Sequence, residues 1–455
     1  MFRKTPLSKD SRISDQSYFT AKNIVLLLLK RLHGLRNNRA LFQKIEPFIL
    51  SRVLGLYFIN LKIEIMTIRI RPVLIFIAIC FNLVLLSAQK PQKIMGIAKE
   101  DQPISYYQEQ SRLWKKLIDK DPRNGEAWIN HYKAERATAQ LDPKNNWPNQ
   151  KTDLYQQLDP IIKQAQKHLG QAFEYYYLLG MNSPEEGALR AFKKAYEIDP
   201  DRSEIYGWLL SRYAPLFAEK ELRDLSERML KANIYSHANL TWNYNALVTA
   251  NPNGVFISNG DLDGTPKWVL QYGAGIRPDV LVITKWFLAS DEAYRKKIWQ
   301  KLQLKSPGKK ESDFDQTEAY ADYLVAEILQ KSKRPTYISS GTSIQFFKKY
   351  GLEENIFLVG NALQYSAKPF DNTGVLKKNI EENYYLEYLL HNLQQHPEDG
   401  IIKAQMNLTY LPAFVHLRDH YKKTKQTEKM NRLNKLIQKV ASDSGRKEEV
   451  LNWFK

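Results

Sequence analysis

The run Asn259-Gly260-Asp261-Leu262-Asp263-Gly264-Thr265-Pro266 sets two carboxylates two residues apart between glycines. Two chemistries suit that pattern. An Asp-x-Asp pair can hold a hard divalent cation or a sugar hydroxyl, since both are bound by oxygen ligands on a short, bendable loop. Carboxylates beside a helix N-terminus also complement the helix dipole and tie down the entering turn, each for roughly 0.3–1 kcal/mol. No His, Glu or further Asp cluster with metal-ligand spacing follows in the sequence, which favours the structural role over a catalytic one. Asn259, Gly260, Asp261, Asp263 and Thr265 therefore form a candidate ligand loop, with no catalytic residue assigned. The only cofactor it leaves room for is a divalent cation at Asp261 and Asp263. The eight histidines are scattered, His237, His391 and His420 read as helix-face residues, and no Gly-x-Ser-x-Gly or Walker-type loop occurs.

The elements around this loop read as strand, helix, strand. Val255-Phe256-Ile257 is a short apolar run, Thr265 and Pro266 supply an N-cap and first helical position for a helix through about Tyr272, and Gly275 to Asp279 turn into Val280-Leu281-Val282-Ile283. Such a unit favours parallel pairing with a right-handed crossover. A helix over about 317–331, a strand at Thr336-Tyr337-Ile338, a helix over 344–349 and a strand at 356–359 continue the alternation. Residues 252–370 are thus expected to form a small parallel α/β domain. The loop lies past a strand end and at a helix N-terminus, where open α/β sheets gather their ligands.

Before and after that domain the apolar residues recur at helical spacing, which predicts a helical array over 89–251 and a C-terminal helical region over 371–455. The breaks Asp121-Pro122-Arg123-Asn124 and Asp199-Pro200-Asp201 are helix stops, so the pattern is one of helical hairpins. Ala188, Phe192, Ala195 and Pro200 resemble the second helix of a tetratricopeptide (TPR) repeat, and Trp128 and Tyr206 each stand six residues after a proline, where the next repeat's large residue belongs. The glycines usual at the close helix contact are missing, and residues 144–151 interrupt the register. Phe414, Leu417 and Tyr421, followed by Met430 and Ile437, predict one more TPR-like hairpin.

The formal charge of +18 invites an anionic partner, but its distribution does not. Residues 1–65 carry twelve Lys/Arg against four Asp/Glu, and Arg69 and Arg71 add two, so a net charge of only +8 remains for everything after residue 88. With no Lys/Arg stripe interleaved with aromatics, nucleic acid is not expected as a partner. Met66-Thr-Ile-Arg-Ile-Arg-Pro, the apolar run from Val73 to Leu86, and Ser87-Ala88 before Gln89 read as a signal peptide over 66–88 cleaved between Ala88 and Gln89. Its apolar run is shorter than the roughly 20 residues a spanning helix needs. Residues 1–65 are expected to be untranslated or disordered. Otherwise they lie on an anionic membrane and the run at 73–86 anchors the chain in the inner membrane. The sole cysteine, Cys80, lies inside that run, so a mature chain cut at Ala88 has no thiol for a disulfide or a metal.

Asp-x-Asp-Gly-Thr after a strand resembles the haloacid dehalogenase-like phosphatases, with Ser339 or Ser340 in their second motif. The later strand nevertheless ends in Gly360-Asn361, where those enzymes need carboxylates. A longer resemblance covers about 200 residues: Phe256, Asn259, Gly260, Asp261, Asp263, Pro266, Trp268, Gln271, Gly275, Arg277, Asp279 and Val280, then Arg334 to Ile338, Leu358-Val359 and 421–429. In that order they are similar to the soluble, TPR-containing tail of the Bacteroidetes multi-spanning membrane proteins related to transmembrane protein O-mannosyltransferases. The resemblance adds Trp268, Gln271, Arg277 and Asp279 to the candidate loop. It implies a detached accessory domain, because the family's glycosyl-transfer chemistry belongs to membrane helices. The expected function is binding of a protein or glycan in the periplasm or outside the cell, with a membrane glycosyltransferase-like protein as one candidate partner. The alternative is an accessory of glycosyl transfer or a metal-dependent hydrolase acting through Asp261 and Asp263. Mass spectrometry of the envelope fraction is expected to find a mature N-terminus at Gln89, and peptides from 1–65 in the mature protein would revive the membrane anchor.

Overall fold

The computed structural model describes residues 90–453 apart from 98, 101, 146–150 and 392–394. The expected segments at 1–65 and 66–88, with the Ala88-Gln89 junction, lie outside the described residues. Helix α1 (Ile104–Lys120) and α2 (Gly125–Leu141) form a hairpin around the predicted stop, where the Asn124 side chain caps α2 by accepting from the Ala127 amide at 2.9 Å. Trp128 donates its indole N–H to the Pro122 carbonyl at 2.9 Å, and Tyr206 donates its hydroxyl to Pro200 at the same distance. The six-residue spacing is therefore a lock used twice: each buried ring ties its helix to the turn just before it. Helices α3 (Lys151–Leu169), α4 (Phe173–Met181), α5 (Glu185–Ile198), α6 (Tyr206–Tyr213), α7 (Glu219–Lys231) and α8 (His237–Thr249) complete the array.

Ala188, Phe192 and Ala195 on α5 are fully buried, as the repeat pattern predicts. A glycine does serve one close helix contact, at Gly180, where a Cβ would sit 2.5 Å from the Phe192 ring. That glycine lies on α4, outside the register, so the repeat pattern alone does not point to it.

Strands β1 (Val255–Ser258) and β2 (Leu281–Thr284) flank helix α9 (Asp261–Ala274), and β1 pairs parallel with β2 and with β3 (Thr336–Ser339). The sheet order is β2-β1-β3-β5-β4, and its second half is antiparallel, so the all-parallel expectation is corrected to a mixed five-stranded sheet. The cause is a tight turn at Gly360, with φ 141°, which folds β5 (Ala362–Tyr365) back onto β4 (Ile356–Leu358). A side chain at Gly360 would overlap the Tyr384 hydroxyl, so that turn needs glycine for two reasons.

Alternation along the strands divides the sheet between two layers. Val255, Ile257, Ile283 and Ile338 face helices α10 (Lys285–Ser290), α11 (Glu292–Lys301), α12 (Thr317–Lys331) and α13 (Ile344–Tyr350). Phe256, Val282 and Tyr337 face the other way, into a core shared with the helical array and the C-terminal helices. Helix α9 belongs to both systems: it joins β1 to β2 and also packs on α7 and α8, with Gly273 so close to the Ser226 backbone that a Cβ would come within 2.9 Å of it. Beyond α14 (Asn372–Lys378) and α15 (Asp399–Ala404), the expected hairpin forms from α16 (Leu411–Lys423) and α17 (Thr427–Asp443), followed by α18 (Lys447–Asn452). Its Phe414, Leu417, Tyr421 and Ile437 are buried. Among the described residues no helix is long and apolar enough to cross a membrane.

Candidate functional site

Helix α9 starts at Asp261, five residues before the first helical position that Thr265 and Pro266 suggest, because Asp263 caps it from within. The two Asp263 carboxylate oxygens accept from the Gly260 amide at 2.6 Å and the Asn259 amide at 3.0 Å. Pro266 then falls inside the helix, where it has no N–H to give the Leu262 carbonyl. The Asn243 side chain, reaching from α8, donates to that carbonyl at 2.9 Å in its place.

Asn243 also accepts, at 2.8 Å, from a lysine that sequence reasoning missed. Lys267 is fully buried; its ammonium also donates to the Asp263 carbonyl and lies 4.5 Å from the centre of the Phe256 ring and 4.9 Å from that of Trp242. Burial pulls its pKa down to about 8 against the attraction of Asp263. A lysine one residue past a helix-start proline reads as surface, and only the aromatic residues at 242 and 256 hint otherwise.

Asp261 is placed differently. Its side chain is exposed to water, yet protein crowds it: crowding raises its carboxyl above the ordinary range, Lys99, Arg136 and Arg212 pull it down, and Asp263 adds to the rise. Open to water but surrounded, it sits in a recess between α9 and the helical array. Arg136 stacks over Trp208 at 5.5 Å and donates to the Met181 carbonyl at 3.1 Å. Trp208 in turn donates to the Tyr177 hydroxyl at 3.1 Å. Lys99 lies 2.8 Å from the buried Glu398 carboxylate and 4.9 Å from the centre of the Tyr235 ring. The recess thus presents cations on aromatic faces with Asp261 opposite them.

The other expected residues are committed to the fold. Arg277 grips Asp279 through two 2.8 Å hydrogen bonds, which hold that carboxyl down to about 2, and donates to the Leu247, Ala250 and Asn251 carbonyls at the end of α8. Gln271 donates to the Arg277 and Val280 carbonyls, Trp268 stacks on Phe287 in the core, and Thr265 is buried. Ser340 donates to the Asn361 carbonyl at 2.8 Å, and Ser339 is buried. Asn259 faces away from Asp261, into a separate cleft at the carboxyl ends of β1, β2 and β3. Among the described residues there is no group of three or more His, Cys, Asp or Glu that could hold a metal ion. No protein-family model matches the sequence, and no curated protein does.

The two carboxylates should separate cleanly in stability. Asp263→Ala orphans two backbone amides and is expected to cost about 1–2 kcal/mol in urea unfolding, whereas Asp261→Ala should stay within about 0.5 kcal/mol. If the loop holds no cation, Ca²⁺, Mg²⁺ and Mn²⁺ leave the wild-type Tm unchanged, since a ligand specific for the folded state must raise it.

Lys267 gives a pH signature. Its folded pKa of about 8 lies below the value of an unfolded lysine, about 10.4, so between those limits the unfolded chain binds more protons and stability rises with pH. The cost of burying the charge is fully present below pH 8 and is relieved above it. Unfolding measured from pH 7 to 9.5 should show that rise in the wild type and lose it in Lys267→Met.

Proposed function

We propose that residues 89–455 are a non-catalytic binding and scaffold protein of the bacterial envelope, built on TPR-like helical hairpins. On this reading the recess between the array and α9 holds a protein or glycan. The observation that carries it is Asp261: an exposed carboxylate, free of any role in capping α9, faced by Lys99, Arg136 and Arg212 beside Trp208. Fixed charges of both signs on an aromatic wall suit recognition of a polar partner, because they set orientation while the rings supply contact area. The Pro122–Trp128 and Pro200–Tyr206 locks and the small-residue face of α5 support the TPR-like reading. The resemblance to the soluble tails of O-mannosyltransferase-related membrane proteins supports a place in the periplasm or at the cell surface, beside a membrane glycosyltransferase-like partner.

A metal-dependent hydrolase or an accessory of glycosyl transfer using Asp261 and Asp263 has one observation in its favour, the position of the loop just past β1. It is the weaker reading because both Asp263 oxygens already accept backbone amides. A photo-crosslinking side chain at position 211, next to Arg212, tests the two in native cells. The binding reading expects a discrete adduct that disappears in Arg136→Glu with Arg212→Glu. It is overturned by the absence of any adduct, or by phosphatase or glycosidase turnover that Asp261→Asn abolishes.

A further inference from the structure

The chain leaves β1 for β2 on one side and returns to β3 on the other, so the strand order reverses between β1 and β3. Open sheets hold ligands at such a point, outside the carboxyl ends of the strands. A cleft of ≈ 400 Å³ opens there, lined by Asn259 after β1, Lys285 and Trp286 after β2, Thr342 after β3, Asp322 of α12 and Gln345 of α13. Its volume falls within the usual range for a small-molecule site.

We propose that this cleft, a second site separate from the recess at Asp261, binds an uncharged saccharide. The charges decide the class. Two ammoniums, Lys285 and Lys349, and two carboxylates, Asp322 and Glu318, line the cleft, and Lys285 sits 2.5 Å from Asp322 and 3.8 Å from Glu318, so the charges balance and a phosphate finds no excess of positive charge. A divalent cation would meet the Lys285 ammonium between the same two acids. An apolar ligand would strip water from the Lys285–Asp322 pair and from the Asn259 and Gln345 amides while offering them no new partner, at a cost a packed ring does not recover. A sugar hydroxyl both donates and accepts, so it can satisfy Asp322 and Lys285 together. The half-buried Trp286 offers the flat apolar surface that the C–H face of a pyranose covers, and Lys285, 5.3 Å from the centre of that ring, sets the ion pair beside it. The Asn259 amide points across the cleft to the Thr342 hydroxyl at 3.4 Å, a long contact that a ligand hydroxyl can replace.

Isothermal titration of the full mature chain with neutral mono- to tetrasaccharides of glucose, galactose, mannose and N-acetylglucosamine tests this. Inorganic phosphate and Mg²⁺ serve as counter-probes. At least one saccharide should bind, with Trp286→Ala weakening it by about tenfold or more and Trp286→Phe by about threefold or less. Asp322→Asn should weaken it by about fivefold, as expected for loss of one charge-assisted hydrogen bond. Matching thermal melts establish that the variants fold. The proposal is overturned if no saccharide binds, if phosphate or Mg²⁺ binds instead, or if Trp286→Ala leaves binding intact. Should the cleft fail while the adduct at position 211 persists, only the saccharide assignment falls. Loss of both removes the binding function as well.

Discussion

Helix α8 is buried along most of its length, and a helix in that position must find a partner for each buried polar side chain it carries. Asn239, Asn243 and Asn245 are all fully buried. Each reaches a different part of the molecule. Asn239 contacts the Glu398 carboxylate, Asn243 serves the Leu262 carbonyl and Lys267 on α9, and Asn245 exchanges two 3.0 Å hydrogen bonds with the Tyr385 backbone. Trp242 adds a donation to the Met406 carbonyl, and its own carbonyl accepts from Asn361 beside β5. A buried polar group left without a partner costs about 1–3 kcal/mol, so these contacts fix the array, the sheet and the C-terminal helices relative to one helix.

The candidate site inherits its geometry from that helix. Proline inside α9 would leave an orphaned carbonyl in the core, and Asn243 removes the problem from outside the helix. The same amide orients Lys267, whose charge lies between aromatic faces and a backbone carbonyl in place of a carboxylate partner. Glu398 plays a comparable part at the other end of α8, where it accepts from the Ser236 amide and pairs with Lys99. Lys99 is thereby held near Asp261, and the charges around the recess follow from the packing of the core.

Much of the fold was legible because burial imposes a period. The strands at β1, β2, β3 and β4 and the helices at 317–331 and 344–350 fall where apolar spacing predicts them, and α16 and α17 lie where Phe414, Leu417 and Ile437 point. Strand β5 was hidden because Ala362-Leu363-Gln364-Tyr365 is short and half-buried, and its one local cue was the Gly360-Asn361 turn. The start of α9 was misplaced because Pro266 mimics a first helical position while the true cap is Asp263, acting backwards. At the site, Asp261 and Asn259 were visible as residue types. Their surroundings were not, since Lys99, Arg136 and Arg212 come from far away in sequence and meet Asp261 only through the stacking of the array.

One carboxylate also decides how the two faces of the loop relate. Asp261 opens onto the recess and Asn259 onto the cleft at the strand ends, with only Gly260 between them. Asp263 holds the amides of both Asn259 and Gly260, so neither can rotate without breaking the same clamp. Two sites joined through a shared, doubly bonded turn respond to each other only if that turn has a second arrangement. Asn243, Lys267 and the buried start of α9 oppose one, because unwinding the first turn would expose the lysine charge to the core without its acceptors. The loop is therefore built to present two fixed faces: Asp261 toward the cations of the array, and Asn259 toward the Lys285–Asp322 pair and Trp286.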